Sequence, residues 1–207
     1  TKIVKKLLKE PETTDSNNWP ARYEIIYTKK DPQMWEGICF EAFKKCNEIK
    51  RPILAIWLLI ERLNGLRRQE IFEQRLAVAL LEAINRRIDA LPDNHSKKSR
   101  LLEMYFYNAS YVYFPIGEFK KAVACNLKEA KVARKAGNKK GELIALFNAA
   151  FQDLNAAITA NRNVKVAYDS FARAGSKLRK RIAGSPEKFD IQWMANLTCN
   201  TTLYNWF

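Results

Sequence analysis

Glycine and proline are scarce in this chain, at seven each in 207 residues, and so little punctuation points to helices rather than to a turn-rich fold. No alternating strand pattern of an RNA-recognition sheet is present, and no zinc-finger spacing. The most apolar run, Ile53–Ile60, is far too short to cross a bilayer, and no stretch has the pattern of a signal peptide. A soluble, cytoplasmic protein is therefore expected. Cys39, Cys46, Cys125 and Cys199 are scattered. Without the paired spacing of a zinc site or redox motif, they read as reduced, mostly buried thiols. His95 is the one histidine, in a predicted loop with Asp93 and Asn94. Glu70 and Glu73 have no histidine at metal-ligand spacing, and no Gly-rich loop is available to cradle a phosphate. A non-enzymatic chain without metal or cofactor is the expectation. The Asn-x-Ser/Thr matches at Asn94, Asn108, Asn196 and Asn200 have no secretory setting and read as chance.

What the chain does have is positive charge: 36 Lys and Arg against 22 Asp and Glu, a net +14 with a pI near 9.7. That excess favours acidic partners such as nucleic acid, an anionic membrane or a phosphorylated or acidic protein, and specifies none of them. The cations are dispersed through Lys2–Lys9, Lys44–Arg51, Arg62–Arg75, Lys97–Arg100, Lys120–Lys140 and Arg173–Arg181, alternating with apolar residues at helical spacing. Such dispersal is the usual signature of a solvated helix face.

The apolar content, 47%, is enough for a substantial core. Residues 1–32 have the least regular pattern: a short basic helix within Lys2–Lys9, a polar loop across Pro11–Pro20 and a second short helix over Ala21–Lys29. Asp31-Pro32 reads as a cap with proline at the first helical position, opening a helix to about Lys50. Arg51-Pro52 breaks it. The next helix starts near Pro52, with Ile56, Leu59, Ile60, Leu63 and Leu66 on its apolar face. Helices follow over Ile71–Leu91, Ser99–Phe114, Glu118–Ala136, Gly141–Ala160, Val164–Ala183 and Glu187–Phe207, joined by short turn-rich connectors that make neighbours antiparallel. The pattern predicts a single all-α domain over residues 1–207, an array of about nine antiparallel helices. Tetratricopeptide-like spacing is visible, with Asn108 and Asn148 40 residues apart and Gly117-Glu118-Phe119 with Ala122 where such a repeat turns. One repeat matches and the next segment departs from it.

Two asparagines stand out. Asn148 shares a helical stripe with Gln152 and Asn155, and Asn200 shares one with Trp193 and Asn196. Amide side chains can answer both the N–H and the C=O of an extended peptide, so two such stripes can line a groove. Polar helix surface is the alternative.

From about Gln33 to Trp206 the chain resembles a divergent 14-3-3 protein. The resemblance rests on Leu146-Phe147-Asn148, Ser185-Pro186-Glu187-Lys188, and Asn200 with Thr202, Leu203 and Tyr204. Gly65-Leu66-Arg67-Arg68 and the segment Leu102-Glu103-Met104 through Tyr111 add to it. The order and spacing of these segments together carry the resemblance. The resemblance implies nine helices in a cup whose groove holds an extended phosphoserine or phosphothreonine peptide of a partner protein, usually within a homodimer. It implies an adaptor role in signalling, with Arg68 and Tyr111 at the phosphate and Asn148 and Asn200 on the peptide backbone. Two positions depart from the family. Glu61 stands where a phosphate-gripping lysine belongs, and Ser110 where an arginine belongs. The interval from Arg68 to Tyr111 is also considerably shorter than in the family, which implies a truncated helix or an absent segment. The expected result is a groove that accepts an extended segment with a weakened phosphate requirement. The alternative is a basic, tetratricopeptide-like scaffold that binds nucleic acid, anionic lipid or a larger protein complex through cations such as Arg173, Lys177, Arg179, Lys180 and Arg181.

Overall fold

The computed structural model describes Lys5, Leu8 and residues 31–182 other than Ile49, Arg68, Glu70 and Ile71, with backbone alone at Pro32, Glu48 and Ile182. Among these residues the chain is all-helical, with seven helices: α1 (Pro32–Glu48), α2 (Pro52–Arg67), α3 (Gln74–Asp89), α4 (Lys98–Tyr113), α5 (Phe119–Lys135), α6 (Lys139–Thr159) and α7 (Val164–Ile182). None is long and apolar enough to cross a membrane. Lys5 and Leu8, within the short helix expected over Lys2–Lys9, are helical, while the helices expected over Ala21–Lys29 and Glu187–Phe207 lie outside the described residues. Two compact units divide between Ile116 and Gly117.

In the first unit the Asp31 carboxylate accepts the Met34 amide at 2.8 Å, and Pro32 occupies the first helical position, where its missing N–H costs nothing. α1 packs along α2, which also contacts α3 and α4, while α3 lies against α4. Trp35, Ile38, Cys39, Ala42 and Cys46 of α1 close on Leu54, Ala55 and Leu58 of α2, with Leu8 against the same cluster. The Arg51 guanidinium donates to the Leu8 carbonyl. The sequence reading gave α2 one apolar face, but every residue from Ile53 to Glu61 is buried, as are Leu63, Gly65 and Leu66. A helix apolar all round its circumference is stable only when neighbours cover every side, and α1, α3 and α4 do so here. The short interval between Arg68 and Tyr111 holds one complete helix, α3. Its buried residues Ala77, Leu80, Leu81, Ile84 and Ile88 follow the 3.6-residue period from Gln74 onward rather than from Ile71.

In the second unit α6 packs on both α5 and α7. Ala122, Ala130 and Ala133 form the inner face of α5, and such small side chains let two backbones approach closely. Phe147 and Leu154 of α6 meet Ala167, Phe171 and Leu178 of α7, with the Phe147 and Phe171 rings 5.1 Å apart. After α5 the chain turns at Gly137, whose φ of +73° is strained for any residue with a Cβ. The Asn138 side chain then accepts the Gly141 amide at 2.9 Å. That cap winds α6 from Lys139, two residues before the expected start. The same corner is pinned by Glu142, buried in α6, which accepts from Arg134 of α5 at 2.7 Å and Lys139 at 2.8 Å.

Candidate functional site

The polar residues of the first unit converge on the C-terminal end of α2. Arg67 is its last residue, and its guanidinium lies 4.5 Å from the Tyr111 ring centroid and 5.9 Å from that of Tyr107. Both tyrosines belong to α4, one helical turn apart, with rings 4.9 Å from each other. Such a stack uses the negative face of the aromatic ring, while the N–H groups at the guanidinium edge point away from the ring and can donate hydrogen bonds. One of them, on Nη1, donates to Asn108 Oδ1 at 2.6 Å and lies 3.4 Å from Asn64 Oδ1. Asn108 is buried, and its Nδ2 donates to the Met104 carbonyl at 2.9 Å. That second bond fixes which end of the amide faces Arg67. The assembly is a pre-oriented cation on an aromatic platform.

Several expected site residues take other roles. Arg68 lies outside the described residues, and the cation seen at Tyr111 is its neighbour Arg67. Ser110 is fully buried and its hydroxyl donates to the Tyr107 carbonyl at 2.8 Å, so it answers its own helix. Glu61 is buried beneath α1. There it acts with Glu36 on the Cys39 thiol, whose pKa is raised chiefly by burial and then by these two carboxylates, against the opposing pull of Arg62. Arg62 itself is occupied: its Nε donates to Glu36, and its guanidinium lies 4.2 Å from the Phe40 centroid. Lys44 lies at the same distance from that ring.

The second unit contains Asn148 and Gln152, both buried, so the stripe they form is turned inward. The Gln152 Oε1 accepts from Asn126 Nδ2 of α5 at 2.7 Å. Among the described residues, Asn126 Oδ1 and Asn148 Nδ2 find no hydrogen-bond partner. Asn155 is half-buried and donates to the Phe151 carbonyl at 2.7 Å, within α6. Trp193, Asn196 and Asn200 lie outside the described residues. Reading the sequence missed Arg67, Tyr107, Asn108 and Asn126. The 40-residue interval joining Asn108 to Asn148 was the one signal that singled out Asn108.

The titratable groups outside these clusters offer little chemistry. Burial pushes the Cys125 thiol up to about 11, with Glu129 adding to the effect and Lys128 opposing it. Neither Cys125 nor Cys39 therefore supplies a thiolate near neutral pH. The His95 Nδ1 accepts the Lys97 amide at 3.2 Å inside its own turn. Nearby, hydrogen bonding and charge from Lys98 hold the Asp93 carboxyl below its ordinary range. No group of three or more His, Cys, Asp or Glu suited to a metal occurs among the described residues. No family model matches the chain, and neither a curated protein nor a solved structure matches it significantly.

Proposed function

We propose that this chain is a non-catalytic adaptor that holds an extended segment of a partner protein, with Arg67 receiving an acidic or phosphorylated side chain of that segment. The observation that carries this reading is the guanidinium seated on Tyr107 and Tyr111 and steered by Asn108. A guanidinium held in place loses less side-chain freedom on meeting an anion than a mobile lysine does, and its planar fork matches carboxylate and phosphate oxygens. The nine-helix, 14-3-3-like cup and the pairing of two such chains belong to the same proposal. Asn148 supports less of it than the sequence suggested, because its side chain is buried in the second unit.

One cation cannot do what three would. With Glu61 buried and Ser110 bonded to its own helix, neither of the two departed positions supplies a charged donor to the anion. A single charged hydrogen bond is worth about 1.5–3 kcal/mol, or roughly a ten- to hundredfold preference for the charged ligand. The reading therefore gives a reader of modest phosphate dependence. Calorimetry with one serine-containing peptide, with and without phosphate, tests it. Binding of both forms is expected, with a phosphate preference inside that range that disappears in Arg67→Gln. A preference that survives Arg67→Gln, or failure of both peptides to bind, overturns the reading.

A further inference from the structure

The outer face of α7, in the second unit, is strongly basic. This helix has six cations, Lys165, Arg173, Lys177, Arg179, Lys180 and Arg181, and one carboxylate, Asp169. All seven of these side chains are exposed. Its apolar side is committed to the core through Phe171 and Leu178, both fully buried. The orientation of α7 is thereby fixed, and the cations from Arg173 to Arg181 cannot turn inward.

Three observations separate this stripe from an ordinary solvated helix face. First, the other helices of the unit neutralise part of their charge: Lys121 pairs with Glu118, and Arg134 and Lys139 share Glu142. Among the described residues none of the α7 cations is ion-paired, and Arg173 turns to the Ser170 hydroxyl at 3.2 Å rather than to a carboxylate. Second, the helix dipole accounts for cations in the last turn, which covers Arg179, Lys180 and Arg181, but not for Arg173 and Lys177 further back. Third, Arg173, Lys177 and Lys180 follow one another at i, i+4 and i+7. They make a straight row with steps of about 6 and 4.5 Å, and the whole basic segment to Arg181 runs about 12 Å. Uncompensated like charges packed that closely repel one another, and a polyanion relieves the repulsion.

We propose that this face of α7 binds the sugar-phosphate backbone of double-stranded DNA. A B-form duplex presents about one negative charge per 1.7 Å of axis, so a basic row of about 12 Å lies along roughly seven of them, and its major groove, about 12 Å wide, admits a helix about 10–12 Å in diameter. An anionic bilayer is the poorer match. Between Arg173 and Arg181 no exposed aromatic or long apolar side chain is available to enter a membrane, and the helix's apolar face is already used. An RNA duplex is poorer too, because its A-form major groove is too narrow for a helix. With arginine, lysine and one serine on the exposed row, recognition is of phosphates rather than of base sequence.

The test is fluorescence anisotropy of the full chain with a labelled DNA duplex of about 20 base pairs, over a salt series. Arg173→Gln/Lys177→Gln/Lys180→Gln is compared with Lys120→Gln/Lys128→Gln/Lys131→Gln, which removes equal charge from α5 of the same unit. All six side chains are exposed, so glutamine is tolerated, and circular dichroism checks both folds. Should the α7 variant fold poorly, Lys177→Gln/Lys180→Gln replaces it. The wild-type slope of log affinity against log salt reads the number of phosphates neutralised. The expected result is a loss of about tenfold or more in affinity and a slope shallower by about two to three in the α7 variant, with a clearly smaller change in the α5 variant. Equal losses in the two would mean that net charge alone is responsible and would overturn the assignment. So would absence of duplex binding at low salt, or tighter binding to phosphatidylserine vesicles or to an RNA duplex of the same sequence.

Discussion

Glu142 shows how one carboxylate can fasten a corner. It is buried in the first turn of α6, where negative charge is favoured by the helix N-terminus, and it bonds Arg134 of α5 as well as Lys139. Hydrogen bonds from Lys139 and then from Arg134 lower its pKa in the folded protein. A carboxylate lowered on folding contributes stability above its unfolded pKa, near 4.3, and loses it as pH falls through the lower folded value. Glu142→Gln is therefore expected to lower the urea midpoint at neutral pH. Between pH 5 and pH 3, a span of about two pH steps around the unfolded value, its midpoint should fall less steeply than that of the wild type. Parallel curves in that window would show that Glu142 titrates alike in both states. At this scale the sequence was least informative. Glu61 and Ser110 were read from their positions in a resemblance, whereas Glu61 is buried by packing and Ser110 bonds to a carbonyl of its own helix. The arginine described at Tyr111 is Arg67, one residue before the Arg68 that the resemblance implies.

Elements were far more legible. The cap at Asp31, the break at Arg51-Pro52 and the turns at Gly117, Gly137 and Asn161–Asn163 are local chemistry, and the helices between them begin and end within a few residues of expectation. The errors have local causes too: α6 starts early because Asn138 reaches back over Gly141. Helix pairing, by contrast, is a long-range property. The stripe of Asn148 and Gln152 was visible, but its partner was not, since Asn126 lies in a different helix with an alanine-rich face around it. Removing one member of the Asn126–Gln152 bond leaves a buried amide unanswered, at a cost of about 1–3 kcal/mol. Gln152→Leu and Asn126→Leu should each lower unfolding free energy by that order. The double variant should lose clearly less than the sum, because no orphaned amide remains. Additive losses in urea titrations would show that the two side chains do not stabilise one another.

The charge of the whole molecule runs against its stability. At net +14, the folded chain concentrates repulsion that the expanded chain spreads out, and salt screens such repulsion over about 10 Å at 0.1 M. Most of the ion pairs described have one solvent-exposed member, whose attraction water and salt weaken. Thermal midpoints by circular dichroism should therefore rise as sodium chloride goes from roughly 0.02 to 0.3 M. A fall over that range would show that attractive pairs outweigh the excess. All-helical class was readable from the whole sequence because it depends on periodicity summed over many turns. Which helices form a unit was not, since Pro115–Gly117 is a short connector of turn residues like the others and the division there arises from packing.

Under the proposed function, the position of Arg67 at the last residue of α2 ties ligand capture to helix winding. The guanidinium stands over the tyrosines only while the terminal turn of α2 is closed, and terminal turns are the part of a helix that opens most readily. Each opening swings the side chain away from its platform. An anion that grips Arg67 must hold the turn shut, and so must slow amide hydrogen exchange through Gly65, Leu66 and Arg67. Under the proposed function the end of α2 is a latch, whose balance between open and closed turns sets how often the site is available.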